Sequence, residues 1–74
     1  MFYKLKTFGK YDLYAIGEEN KRDFQDIYGD NGYKCAWCVT KRNQEHWSQY
    51  IHSGNLFLIT IANSSKPAAL LYRP

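Results

Sequence analysis

Apolar and polar residues alternate at the start of the chain in the way that a β-strand requires. The stretch 2–8, FYKLKTF, changes character at nearly every position, and strict alternation puts Lys4 and Lys6 on the same face. A turn containing Gly9 leads into 11–16, YDLYAI, which is again rich in aromatic and branched residues. Two such runs around a glycine-containing turn predict an antiparallel hairpin.

The apolar period then changes to that of an α-helix in two places. In 17–29 apolar residues stand three and four positions apart, acidic residues come first and a glycine follows, at Phe24, Ile27, Tyr28 and Gly29. A second helix begins at an N-cap, Asn43, and ends at Gly54. Its apolar side consists of Trp47, Tyr50 and Ile51.

Three further runs predict strands. They are YKCAWCV at 33–39, LFLITIA at 56–62 and AALLY at 68–72. The middle run is almost continuously apolar, which favours a central strand covered on both faces. The predicted order is therefore β-β-α-β-α-β-β, an α+β fold in which short helices pack on an antiparallel or mixed sheet. We expect residues 1–74 to form a single compact domain.

Composition narrows the class of protein without naming a function. Aromatic residues make up 18% of the 74 residues and supply much of the apolar surface that so small a domain can bury. The net charge of +3 and the sequence pI near 8.9 are mildly basic, which by itself selects no partner. No run approaches the roughly 20 apolar residues of a membrane span, and the first ten residues lack a signal-peptide core. We therefore expect a cytoplasmic protein with reduced cysteines and no membrane partner.

Two cysteines and two histidines raise the alternative of a small zinc-binding domain. The ligand set would be Cys35, Cys38, His46 and His52. Only seven residues separate the two pairs, whereas a zinc finger has about twelve. On a strand at 33–39 the two cysteines would point to opposite faces, and histidines six apart on a helix lie about 120° off a shared face. The spacing favours a domain without a metal or other cofactor, in which Cys38 packs into the core.

A longer pattern covers the last two-thirds of the chain. It consists of Tyr-Gly at 28–29, Trp-Cys at 37–38, an aromatic-x-x-Tyr helix at 47–50, a glycine at 54 and an apolar strand at 56–61. This pattern resembles that of small phage and mobile-element proteins, although Cys35 and Ala36 stand where a small polar residue and a lysine are usual. The resemblance implies a phage context and transfers no catalytic residue.

The chain contains no nucleophile motif, phosphate loop or array of metal-binding carboxylates, so we expect no enzyme. Single-stranded nucleic acid is the alternative partner. In the predicted hairpin Lys4, Lys6 and Lys10 are interleaved with aromatic residues, so the bases could stack while the ammonium groups hold phosphates.

A protein partner is the leading hypothesis, because a small domain without a recognisable site can act mainly through its surface, and this one is rich in Tyr and Trp. The predicted anchors are Tyr3, Tyr11, Tyr14, Trp47 and Tyr72. Lys41 and Arg42 would be rim charges that steer association towards an acidic patch. Together with the phage resemblance, this predicts an inhibitor that occludes a functional surface of a host protein. Its role would be host takeover or anti-defence, and its target could be a defence enzyme or a nucleic-acid-processing enzyme.

Overall fold

The computed structural model describes residues 2–40, 47–52 and 55–73, with the backbone alone at Cys38 and His52. Within these ranges the chain forms four strands, two α-helices and two short 3₁₀ turns. In chain order these are β1 (Tyr3–Phe8), β2 (Tyr11–Ala15), a 3₁₀ turn (Glu18–Asn20), α1 (Lys21–Tyr28), a second 3₁₀ turn (Cys38–Thr40), α2 (Trp47–His52), β3 (Leu56–Ile61) and β4 (Pro67–Tyr72).

The four strands form one antiparallel sheet in the order β1-β2-β3-β4. The α+β class predicted from the sequence is confirmed. The predicted hairpin is present, and the apolar run at 56–61 is an inner strand, as expected. Its burial nevertheless alternates residue by residue, with Leu56, Leu58 and Thr60 buried and the residues between them half-buried. The prediction that this strand is covered on both faces is therefore wrong.

A bulge at Leu5 divides β1 into two parts. Lys4 pairs with Tyr14, but the register then shifts so that Lys6 pairs with Leu13. Tyr14 and Leu13 are consecutive on β2 and therefore point to opposite faces of the sheet. The prediction that Lys4 and Lys6 share a face is thus wrong, because one extra residue inverts the alternation between them. Strand β4 has a second irregularity, where Ala68 is the extra residue.

The predicted strand at 33–39 is also absent. The chain leaves α1 in a series of turns, with Lys34 in the left-handed region at φ 57°. The N–H of Tyr33 donates to the Ile27 carbonyl at 2.8 Å, and the N–H of Cys35 donates to the Tyr28 carbonyl at 2.9 Å. These backbone groups are satisfied by the end of α1 and not by a neighbouring strand. The observed order is therefore β-β-α-α-β-β, with four strands in place of five.

The core lies between one face of the sheet and the two helices. In α1 Phe24 and Tyr28 are buried, as their spacing predicted, and Trp47 at the start of α2 is 3% exposed. They pack with Leu56 and Leu58 of the sheet. The caps predicted for the second helix, at residues 43 and 54, lie outside the described residues. Both helices thus cover the same face of the sheet.

Aromatic rings pack against one another within this core. The Phe24 ring centroid lies 5.1 Å from that of Tyr28, 5.7 Å from that of Trp47 and 6.2 Å from that of Trp37. Burial raises the pKa of Tyr28 to about 12, and its hydroxyl donates to the Ser65 carbonyl at 2.9 Å. Ring packing of this kind gives a short chain a large buried apolar area per ordered residue.

Candidate functional site

The second face of the sheet carries three rows of side chains and no described element packs on it. Pairing across the strands sets these rows, because residues directly opposite each other point to the same side. The first row is Phe8, Tyr11 and Ile61. The second is Lys6, Leu13, Ile59 and Ala69. The third is Tyr3, Ala15, Phe57 and Leu71. We call these side chains the open face.

The open face is apolar apart from one residue. Tyr3 is 72% exposed, Leu71 48% and Phe8 39%, and the residues of β2 and β3 between them are half-buried by their neighbours. Its one charged group is Lys6, whose Nζ lies 5.9 Å from the centre of the Phe8 ring. Among the described strand residues no carboxylate lies on this side. A large apolar patch that remains exposed marks an interaction surface.

The height of the open face varies along its two outer strands. Strand β1 carries the exposed side chains Tyr3 and Phe8, and β4 carries the exposed Leu71 as well as the small Ala69 and the bulged Ala68. A shallow depression of about 230 Å³ lies over the two alanines and reaches Ile59 and Phe8. The face is therefore lowest at the alanine end of β4.

Lys4 lies on the other side of the sheet, where it contacts a buried carboxylate. Its Nζ is 3.5 Å from Oδ2 of Asp12, which is 1% exposed. The hydroxyl of Thr7 donates to Oδ1 at 2.6 Å and the N–H of Asn63 donates to Oδ2 at 3.2 Å. The Thr7 hydrogen bond holds the pKa of Asp12 below its usual value of 3.8, against the effect of burial, with Asn63 and Lys4 adding to the lowering.

This geometry separates the three lysines of the predicted nucleic-acid site. Lys4 is engaged with Asp12, Lys6 stands on the open face, and Lys10 lies in the turn between β1 and β2. Because Lys4 and Lys6 are on opposite sides of the sheet, they cannot hold the same backbone of a strand stacked on one face.

The predicted protein-binding anchors divide among three places. Tyr3 and Tyr11 belong to the open face. Tyr14 and Tyr72 are on the helix side, where Tyr14 packs against the core and Tyr72 meets Tyr50 edge to face at 4.6 Å. Trp47 is buried in the core, so the structure does not offer it as an anchor. The two predicted rim charges, at residues 41 and 42, lie outside the described residues.

A further concave feature, an apolar pocket, lies on the helix side of the sheet. Its volume is about 320 Å³, and its walls include Trp37, Tyr50, Leu70 and Tyr72. It lies between the 3₁₀ turn, α2 and the β4 edge of the sheet. Its described walls are mainly aromatic and aliphatic, which matches an apolar group.

Only part of the zinc site proposed as an alternative lies among the described residues. Cys35 is half-buried against the core, and burial raises the pKa of its thiol. The side chains at 38 and 52 and the whole of residue 46 lie outside the described part of the chain. Since 33–39 is not a strand, the argument that the two cysteines point apart no longer holds. The zinc hypothesis therefore stays a hypothesis.

No protein-family model matches the chain, and neither a curated protein nor a solved structure shows significant similarity to it. The resemblance to phage proteins therefore stays an expectation. No helix in the described part of the chain is both long and apolar enough to cross a lipid bilayer.

Sequence reasoning missed most of the open face, in particular Leu13, Phe57, Ile59 and Leu71. A signal was nevertheless present. The two predicted helices offer three apolar residues each, which is too few to cover both sides of a sheet of four or more strands. An apolar strand sequence combined with so little helix indicates a sheet with one side left open.

Proposed function

We propose that this protein acts by binding another protein through its open face, and not by catalysis. The observation that carries the proposal is the largely apolar surface formed by three rows of side chains on the face of the sheet that no described element covers. Interfaces draw most of their affinity from aromatic and large aliphatic anchors at their centre. The open face offers such anchors in Phe8, Tyr11, Phe57 and Ile59.

The resemblance to phage proteins gives this proposal its finer form. We infer a host protein as the partner, and inhibition by covering a functional surface of that protein. A flat apolar sheet suits this role, because it excludes water from a broad area of the partner without any chemistry of its own.

Single-stranded nucleic acid remains the competing partner, since Tyr3, Phe8 and Tyr11 lie on the same face as Lys6. Base stacking on aromatic rings is the usual means by which sheets hold single strands. The middle row of the face, however, is aliphatic between Lys6 and Ala69, and one lysine gives few phosphate contacts. Few phosphate contacts imply a shallow dependence of binding on salt.

The test compares recovery of partners by the wild type and by a variant with a charge on the open face. Leu71→Glu places a carboxylate at an exposed position of this face, and Ser48→Glu adds the same charge at an exposed position of α2. Tagged proteins are incubated with bacterial lysate, and a recovered protein is purified and its binding measured by calorimetry. We expect the wild type and Ser48→Glu to bind it equally and Leu71→Glu to lose at least about tenfold in affinity.

Two results would contradict the proposal. One is equal binding of the purified partner by Leu71→Glu and the wild type, which would place the interface elsewhere. The other is recovery of nucleic acid alone, with an affinity for a single-stranded oligonucleotide that falls steeply with salt and is lost in Lys6→Glu.

A further inference from the structure

We propose that the partner of the open face is a protein segment in which one large apolar side chain is flanked by carboxylates. This inference rests on the proposed function, because it specifies the chemistry of the partner that the open face would bind. The apolar side chain would occupy the depression at the alanine end of β4. The carboxylates would contact the basic residues on this side of the sheet, which are Lys6, Lys66 and Arg73.

The depression has the size and the lining of a site for one side chain. It is lined by the small residues Ala68 and Ala69, by Ile59, and by the rings of Phe8 and Tyr11, whose centres are 5.9 Å apart. Its volume is about 230 Å³, whereas a cavity of roughly 150 Å³ already holds a benzene molecule. A phenyl or isobutyl group of a partner would therefore fit there and contact ring and methyl groups.

Backbone pairing places two further basic residues on the side of the open face. The N–H of Ile61 donates to the Lys66 carbonyl at 3.0 Å, so Lys66 lies opposite Ile61 at the end of the first row. The N–H of Arg73 donates to the Asn55 carbonyl at 2.9 Å, one position beyond a pair whose side chains are on the helix side, so Arg73 falls on the open side. Both basic residues are exposed. Together with Lys6 they surround the apolar rows on three sides.

Charge is divided between the two layers of the molecule. The sheet and its turns, residues 3–15 and 56–73, carry five basic residues and one acidic residue, Asp12, which is buried beside Lys4 on the helix side. The segment that contains α1, residues 17–37, carries three basic and five acidic residues. The open side of the described sheet therefore has a positive potential, which attracts an acidic partner and repels a basic one.

A protein segment matches this arrangement better than nucleic acid does. Lys6 on β1 and Lys66 before β4 are three strand spacings apart, about 14 Å, and apolar side chains lie between them. A nucleic-acid strand carries a phosphate at every nucleotide, so most of its charges would lie over the aliphatic middle row without a partner. A protein can place single carboxylates at the rim of the face and apolar groups at its centre.

Selection from a peptide library tests the chemistry of the partner. The wild-type protein selects from random peptides of about twelve residues displayed on yeast, and a synthetic copy of the most enriched peptide is titrated by calorimetry. We expect the enriched peptides to share one Phe, Leu or Met with Asp or Glu within about four residues on either side, which is the reach of the flanking lysines. Enriched peptides without acidic residues, or no enriched peptide at all, would overturn the proposal.

Substitutions at the depression and at one flanking lysine test where the selected peptide binds. Ala69→Leu fills the depression and should weaken binding at least about tenfold, whereas Ala69→Ser keeps the residue small and should bind within about threefold of the wild type. Lys66→Glu should weaken binding about fivefold, whereas Lys21→Glu reverses the same charge at an exposed position of α1 and should have little effect. Circular dichroism verifies that each variant is folded.

A charge exchange separates attraction between opposite charges from general weakening. A peptide in which lysines replace the acidic residues should bind Lys66→Glu better than it binds the wild type. Equal binding of the selected peptide by Ala69→Leu and Ala69→Ser would overturn the depression as its site. Binding of the wild type to oligothymidine or to vesicles that contain phosphatidylserine, lost in Lys66→Glu and without any enriched peptide, would also overturn the proposal.

The two proposals fail in different ways. A purified protein partner that is lost in Leu71→Glu, yet binds Ala69→Leu and Lys66→Glu as it binds the wild type, supports the open face and overturns the acidic and apolar partner segment. An acidic peptide that depends on Ala69 and Lys66, together with a protein partner that Leu71→Glu binds unchanged, supports the site in the depression and overturns the open face as the surface for that protein.

Discussion

At the scale of single residues, Asp12 joins three parts of the sheet. Its carboxylate accepts hydrogen bonds from Thr7 of β1 and from the backbone after β3, and Lys4 lies beside it. A buried carboxylate is tolerated only when its oxygens are satisfied in this way. Asp12 also explains why the lysines of β1 act separately, since it binds Lys4 on the helix side.

We expect Asp12→Asn to lower the urea midpoint of unfolding at pH 7, because the amide cannot replace a carboxylate that only accepts hydrogen bonds. The folded pKa of Asp12 lies below its ordinary value of 3.8, so its charge stabilises the fold above that pH. This contribution falls as the pH drops through the lowered pKa. The difference between wild type and variant should therefore be full at pH 7 and shrink well below pH 3.8.

The matched control is Asp23→Asn, which removes an exposed carboxylate from α1. It should leave the midpoint nearly unchanged. If Asp12→Asn and Asp23→Asn gave the same midpoint at pH 7, the stabilising role of Asp12 would be refuted.

At the scale of elements, consecutive residues of β3 have different environments. Leu58 is fully buried beneath the helices, whereas Ile59 is half-buried on the open face. Leu58→Ala should therefore cost about 2–5 kcal/mol of unfolding free energy. Ile59→Ala should cost less than about 2 kcal/mol, because part of that side chain is already in water.

Both substitutions are measured by urea unfolding. A cost for Ile59→Ala equal to that for Leu58→Ala would show that the second side of β3 is covered as well.

The sequence predicted elements whose apolar pattern is local and missed features that depend on partners distant in the chain. The hairpin, the two helices and the inner strand follow from the period of their apolar residues. The stretch 33–39 looked like a strand because of its aromatic and sulfur-containing residues, yet its N–H groups bond to the end of α1. The bulge at Leu5 is likewise not visible in the alternation of the sequence. It places Lys4 and Lys6 of the predicted site on opposite faces of the sheet.

At the scale of the whole molecule, the described residues form two layers, one of helices and one of sheet, and they cover only one side of the sheet. A partner bound to the open face would supply a further layer, so stability and binding are linked. We expect the Tm of the wild type to rise with the concentration of a purified partner and the Tm of Leu71→Glu to respond much less. Differential scanning calorimetry over a hundredfold range of partner concentration measures this, and a wild-type Tm that does not respond to the partner would contradict binding.

The bulges in the two outer strands determine how far such association can proceed. β1 is interrupted at Leu5 and β4 beside Ala68, so neither edge presents an unbroken row of N–H and C=O groups to a further strand. The sheet therefore resists sideways growth into a fibril, although its sequence contains apolar β-forming runs. Contact between two broad faces, in contrast, ends after one pairing. The irregular edges thus allow the chain to keep an apolar binding surface without a sheet edge that could extend into a fibril.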